Sequence, residues 1–408
     1  MAPFNAGDTA WVLTSAALVL FMTPGLAMFY GGLVRAKNVL SVMAGSFICM
    51  GLVGVLWATL GYTIAFGHDI GGLVGGLDFA GMRGIMTGAS SLAPTIPHAA
   101  FVTYQMMFAI IAPALITGAF AERMKFKAWV LLLAGWSLLV YSPLAHWVWG
   151  GGWLGRLGVL DFAGETVIHL SSAAAAAACV IVVGKRHGFG SEDYHPHNLP
   201  MTLIGAGILW FGWCGFNGGS SLTAGQGAAG AVLCTVLAAS AGMLSWLLIE
   251  SFHAGKATTL GAASGAVAGL VGITPSAGYV GPMTAILIGA VVGGVCYAGV
   301  TMKSKLGYDD ALDVLGIHGA GGIAGMLLTG VFASAALTPG GVGGLLSGNW
   351  RFFLVECLAI VVALGYSFIV TFGLLKAIDL TVGVRAEEDD EMRGLDVAEH
   401  AEHAYEPI

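Results

Sequence analysis

Eleven stretches of predominantly apolar residues follow one another along the chain, at 10–33, 39–66, 97–121, 127–147, 165–184, 199–218, 227–251, 257–274, 280–301, 312–334 and 350–378. A helix needs about 20 such residues to cross a bilayer, so this succession predicts an all-α membrane protein with eleven transmembrane helices. Of the 408 residues, 57% are hydrophobic and 10% charged, whereas ordinary soluble domains carry about 25% charged residues. Lipid must therefore solvate the chain. Glycine, at 64 residues, is roughly twice its usual share. In a membrane small residues let helix backbones approach closely, and the glycines read as packing surfaces.

An odd number of spans puts the termini on opposite faces. Arg35 and Lys37 follow the first span, Arg123, Lys125 and Lys127 the third, Lys185 and Arg186 the fifth, Lys256 the seventh, and Lys303 and Lys305 the ninth. With Lys376, Arg385 and Arg393 these make 13 bases on one side, against Arg83, Arg156 and Arg351 on the other. The positive-inside rule then sets the N-terminus outside and the C-terminus in the cytoplasm, as expected of a multi-pass protein of the cell inner membrane. Met1 to Asp8 carry no basic segment and no small-residue cleavage pattern, so no signal peptide is expected there. The six cysteines lie singly in apolar runs and read as core filler, neither disulfide nor metal ligand.

Residues 379–408 form a separate unit. Within it, 386–408 hold nine acids against one base, Arg393, which leaves 15 bases and 14 acids elsewhere. The net charge of -7 thus belongs to the tail. Composition favours a solvated, disordered end over a docking element.

Asp161 and His169 lie eight residues apart, as do Asp310 and His318, and each pair leads into an apolar helix rich in small residues. Phe29-Tyr30-Gly31-Gly32 and Phe216-Asn217-Gly218-Gly219 give a second match, late in the first and sixth spans. The expectation is two inverted five-helix repeats, 1–184 and 199–334, plus an eleventh helix at 350–378. Five is odd, so the halves must be inverted, and such folds set the transport path at their interface.

Ionisable groups inside spans are costly and point to function. A lone membrane histidine is as often a structural hydrogen-bonding group, but the matched pair His169 and His318 reads as pore-lining. Neither has an HExxH or cysteine companion, which argues against a metal site. No nucleophile or base constellation accompanies them, so neither an enzyme nor a cofactor is expected. Asp161 and Asp310 precede their helices and read as structural caps. Trp147, Trp149 and Trp153 suit an interfacial belt, or else one indole face binds a small cation.

The chain resembles the Amt/Mep/Rh ammonium transporter family, on its bacterial Amt branch. The resemblance rests on Phe-Tyr-Gly-Gly-Leu-Val-Arg-Ala-Lys-Asn (29–38), Pro-Ala-Leu-Ile-Thr-Gly-Ala-Phe-Ala-Glu-Arg (113–123) and His-Trp-Val-Trp-Gly-Gly-Gly (146–152). Asp-Phe-Ala-Gly (161–164), Gly-Trp-Cys-Gly-Phe-Asn-Gly-Gly-Ser (212–220) and Gly-Ala-Ala-Ser-Gly-Ala (261–266) extend it. The resemblance implies a homotrimer with one pore per subunit that moves ammonium or ammonia through the bilayer and has no nucleic-acid partner. It implies a recruitment site from Trp149, Ser220 and Phe108, a gate from Phe108 and Phe216, and twin pore histidines, His169 and His318, which either line an apolar tube or, by imidazole chemistry, relay a proton. It also implies regulation by a PII-type protein at the cytoplasmic face. An ammonium sensor with little conduction would keep the same recruitment site and is the alternative, although no output domain is expected after residue 408.

Three residues depart from the pattern. Glu165 stands where a small residue is expected, four positions before His169, where the two can share a helix face and Glu165 can modulate the pore. Cys214 replaces an aromatic. In the tail run Gly394-Leu-Asp-Val-Ala398-Glu-His400-Ala401, Ala398 lacks a hydroxyl.

Overall fold

The computed structural model describes residues 4–405. Among the described residues, ten helices are long and apolar enough to cross a membrane: α1 (Ala6–Leu33), α2 (Ala36–Phe66), α3 (His98–Phe120), α4 (Phe126–Leu157, with a turn after Val148), α5 (Glu165–Val183), α6 (Leu199–Gly219), α7 (Gln226–Ala254), α9 (Pro282–Leu306), α10 (Leu315–Phe332) and α11 (Trp350–Val382). The expected eighth span is a shorter apolar helix, α8 (Thr259–Ile273), of 15 residues. At 1.5 Å per residue it is about 22 Å long, less than the roughly 30 Å of a hydrocarbon core. Two short helices, α12 (Glu388–Arg393) and α13 (Leu395–His400), complete the chain.

Small residues bring the helices together, as the glycine content suggests. A Cβ on Gly205 would fall 2.3 Å from the Phe29 nitrogen on α1, and one on Gly269 would fall 2.2 Å from the Ala238 carbonyl oxygen on α7. Backbones this close exclude any side chain between them. Between α2 and α3 lies a loop with a two-stranded hairpin, β1 (Asp69–Ile70) and β2 (Val74–Gly75), on the face opposite the tail.

The tail is not the free end that its composition suggests. Asp396 is 2% exposed, and its carboxylate accepts from the Leu40 and Ser41 amides at the start of α2, at 3.1 and 2.8 Å. Glu391 accepts from the His187 amide at 2.6 Å and from Arg385 at 2.8 Å. Lys37 donates to the Glu391 and Met392 carbonyls, and the Leu395 amide donates to the Asn38 side chain. Of the acids that suggested disorder, Asp396 and Glu399 meet amides at the starts of α2 and α4, and Glu387 and Glu388 pair with Lys125 and His187, a favourable use of negative charge.

Beside the docked tail, Glu122 accepts from Arg35 (3.1 Å) and Arg186 (3.2 Å), and Arg186 also pairs with Asp309 at 2.7 Å. Burial would raise the Glu122 and Asp309 carboxyls, but these arginines outweigh it and hold both below the usual carboxylate range. The same pairing raises Arg186 against the pull of burial. This network ties the loops after α1, α3, α5 and α9 into one plate.

Candidate functional site

A vestibule of about 450 Å³ opens on the face opposite the tail, lined by Trp149, Ser220, Phe108, Gln105, Asp161 and Tyr279 among others. Trp149 closes the straight part of α4, and its indole N–H donates to the Asp161 carbonyl at 2.9 Å. The indole also lies against Gly164, where a Cβ would come within 2.9 Å of it. Gly164 has φ 111°, a left-handed geometry that glycine adopts without strain. Ser220 ends α6; its hydroxyl donates to the Phe216 carbonyl at 2.8 Å and lies 3.2 Å from the Tyr104 hydroxyl. The phenyl ring of Phe108 stands edge-on to Trp149, at 6.2 Å between centroids. An aromatic face and a hydroxyl oxygen therefore share one cup, with Asp161 in its wall.

At the floor of the cup the Phe108 and Phe216 rings meet at 4.5 Å, and each residue is 1% exposed. The phenyl pair stands between the vestibule, which Phe108 lines, and the cavity below, which Phe216 lines. There the imidazole of His169 lies 6.0 Å from the Phe216 ring, is stacked on Trp213 at 5.4 Å, and faces His318. The two histidine Nδ1 atoms are 3.0 Å apart. A neutral imidazole has one N–H and one acceptor nitrogen, so one ring donates and the other accepts.

His169 is the fifth residue of α5 and His318 the fourth of α10, and each occupies a π-helical turn, Glu165–Leu170 and Leu315–Gly319. Such turns concentrate at functional sites. The tenth helix was expected to start at 312, which set His318 two turns in; it lies one turn in, like His169. Asp313, with φ 63°, keeps the preceding residues out of the helix.

Below the histidines runs a narrow cavity with about 60 Å³ of room for the centre of a water-sized molecule. Its wall is mostly apolar, from Met22, Leu26, Ile111, Leu115, Leu209 and Ile317, and it also includes Tyr30 and Asp313. Lys303 pairs with the Asp313 carboxylate.

The two repeat aspartates do different work. Asp161 accepts from the Gly164, Glu165 and Thr166 amides at 2.7 to 2.8 Å and from the Thr166 hydroxyl. Burial still pushes its carboxyl above the usual range, against the pull of those donors. Asp310 accepts from the Leu315 amide at 2.7 Å, while its other oxygen is buried without a partner. Burial, with Asp313 nearby, pushes the Asp310 carboxyl up to about 7.

Glu165 departs from its expectation. It is fully buried, and both its oxygens are without hydrogen-bond partners. One oxygen occupies the space left by Gly322, 2.5 Å from where a Cβ would sit, and Glu165 lines neither the vestibule nor the cavity. Although it is one turn from His169, the glycine gap on α10 draws it into the wall. No sequence signal pointed to Tyr104, whose hydroxyl bonds the Phe216 carbonyl at 2.8 Å. Trp213 stands out in the aromatic run 210–216, which also reads as offering aromatic faces at the outer end of the sixth span, but its ring lies below the phenyl pair, stacked on His169, and its indole donates to Thr274.

The Ammonium Transporter Family matches residues 10–405. The ammonium transporter of Bacillus subtilis (strain 168) is 47% identical over 401 residues, covering 98% of each chain. Among solved structures, Candida albicans Mep2 superposes with a TM-score of 0.91 at 36% identity, over 98% of this chain and 91% of that one. A structure described as a Sensor Amt Protein superposes with a TM-score of 0.89 at 29% identity, over 97% of this chain and 98% of that one.

Proposed function

The chain belongs to the ammonium transporter family, and from that premise we propose that it recruits ammonium at the Trp149 vestibule, strips its proton there and conducts ammonia past His169 and His318. One observation carries the reading: cation cup, phenyl pair, paired imidazoles and apolar cavity succeed one another from the vestibule toward the tail face.

Ammonium and potassium are similar cations, and a cation-π cup beside Ser220 would hold either. Discrimination comes from chemistry, because only ammonium can shed a proton. Deprotonating an alkylammonium such as lysine, with pKa about 10.4, costs roughly 5 kcal/mol at pH 7. Holding a charge at the bilayer centre costs, at the upper estimates, more than about 10 kcal/mol. Crossing as the neutral amine is therefore the cheaper route through an apolar passage. Phe108 and Phe216 act as a gate that keeps hydrated cations out. The imidazole pair offers an acceptor and a donor in the passage, which suits a relay for the released proton.

The vestibule faces the outside and the docked tail the cytoplasm, in keeping with the distribution of basic residues. Residues 1–184 and 199–334 form inverted halves whose interface carries the path, a reading supported by the matching histidine turns. The working unit is a homotrimer, and the tail face receives a PII-type regulator. The likeness to the Sensor Amt Protein supports a second reading, in which the vestibule binds ammonium and little passes.

Purified protein in liposomes, followed by internal pH and by current after an ammonium pulse, tests the first reading. Ammonium-dependent changes are expected. Silence in both signals, with ammonium still bound, leaves the sensor reading standing instead.

A further inference from the structure

Glu356 lies seven residues into α11 and plays no part in the path described above. It is fully buried. One carboxyl oxygen accepts from the Leu160 amide at 2.8 Å, and the other has no hydrogen-bond partner. A carboxyl without a base beside it is costly to bury, so its retention here calls for a reason in what it holds.

What it holds is the segment on which the cation cup rests. The residue after Leu160 is Asp161, whose carbonyl accepts the Trp149 indole N–H at 2.9 Å. The Asp161 side chain caps α5, and the next amide, that of Phe162, donates to the Pro275 carbonyl at 3.1 Å. The segment is thus fixed at successive residues by three different parts of the fold: Glu356 holds it at Leu160, one residue before Asp161, and Pro275 holds the amide of the Asp161–Phe162 peptide. Without Glu356 the Leu160 N–H would be buried and unpaired, a state that folded chains avoid by shifting. A shift at Leu160 pulls on Asp161 from its N-terminal side and turns its peptide about the Phe162–Pro275 bond, and with it the carbonyl that aims the indole.

We propose that Glu356 is a positioning residue for the cation cup: through the Leu160 amide it sets the Asp161 carbonyl, and hence the Trp149 indole, and so sets apparent ammonium affinity without touching ammonium. This rests on the recruitment role proposed for Trp149. It assigns the eleventh helix, which stands outside the proposed repeat, a task at the vestibule.

The test uses purified full-length protein in liposomes and reads the concentration dependence of the ammonium-evoked signal, with Glu356→Leu, Glu356→Gln, Trp149→Leu and the double variant Glu356→Leu/Trp149→Leu. Glutamine keeps an oxygen that accepts from Leu160, so Glu356→Gln is expected within about twofold of wild type. Glu356→Leu is expected to raise the half-saturating concentration by about two- to tenfold, as the loss of one buried hydrogen bond implies, with the maximal signal little changed. In the Trp149→Leu background the same change is expected to add nothing, because coupled residues are not additive.

Wild-type affinity in Glu356→Leu overturns the proposal, and so does a full extra loss in the double variant. A loss in Glu356→Gln equal to that in Glu356→Leu overturns it too, because charge and not positioning would then be at work. If Glu356→Leu does not fold, Glu356→Ala is read in the same way. A shift in Trp149→Leu with none in Glu356→Leu refutes this inference alone, whereas no shift in Trp149→Leu refutes the recruitment reading beneath it.

Discussion

At the scale of single residues, the vestibule offers one indole face and one hydroxyl to a cation. Trp149→Leu removes the face, and a contact of this kind is worth about 0.5 to 2 kcal/mol, or roughly two- to thirtyfold in affinity. Ser220→Ala removes a hydroxyl, while Tyr104 still bonds the Phe216 carbonyl, so the end of α6 is expected to stay in place. Both variants should raise the half-saturating ammonium concentration and leave the maximal flux intact; unchanged concentration curves would show that recruitment happens elsewhere. The histidines separate two mechanisms. If they only line the passage, His169→Leu or His318→Leu preserves ammonia flux. If a proton passes between the nitrogens, 3.0 Å apart, loss of either ring breaks the chain, and the result expected on that proposal is ammonia flux without coupled current in each single variant. Charge moved per ammonium is the deciding measurement, and wild-type current with either ring absent would remove the relay.

At the scale of elements, α5 and α10 begin alike but are capped unequally, and their stabilities should respond differently. Asp161→Ala strips three backbone donors and one hydroxyl of their acceptor. A lost cap costs about 0.5 to 2 kcal/mol, with this one expected at the upper end and visible as a lower melting temperature in detergent. Asp310 behaves in the opposite way. Its carboxyl is pushed up to about 7 in the fold, whereas an unfolded aspartate titrates near 3.9. The unfolded chain therefore loses this proton first, and stability falls as pH rises from about 4 to 7, then levels off. Asp310→Asn keeps an oxygen for the Leu315 amide and has no charge to bury. Its melting temperature should exceed that of wild type at pH 8 and match it near pH 4; equal gains at both values would exclude titration as the cause.

At the scale of the whole molecule, the tail joins loops that are distant in sequence. Asp396 caps α2, Glu391 reaches His187 and Arg385, and the ring of His400 lies 4.9 Å from Phe126. Asp396→Ala should cost about 1 kcal/mol of tail docking, roughly a fivefold rise in the undocked population. Limited proteolysis under conditions of rapid reclosing reads that population, and cleavage within the tail should quicken accordingly. Deleting 386–408 should change transport activity or its control by a PII-type protein, and a deletion variant indistinguishable from wild type in both would reduce the tail to a passive end.

Hydropathy and the spacing of Asp161–His169 and Asp310–His318 were enough, in sequence, to foresee a multi-pass helical membrane protein and to single out its two histidines. These signals are local: a run of apolar residues reports its own solvent, and an ionisable group inside it stands out wherever the neighbouring helices fall. Composition did not make the docked tail legible, because nine acids look alike whether water or the first turn of α2 receives them; only the family-like run from Gly394 pointed to docking. The orientation of Glu165 was not legible either, since it depends on Gly322, a residue 157 positions away whose missing side chain leaves the space. Likewise α8 reads as a full span in hydropathy but forms only 15 helical residues, because neighbouring helices cover an element that lipid need not surround. Tertiary structure decided these cases for one reason: partners distant in sequence fix where a buried polar group points and what a short helix must cover.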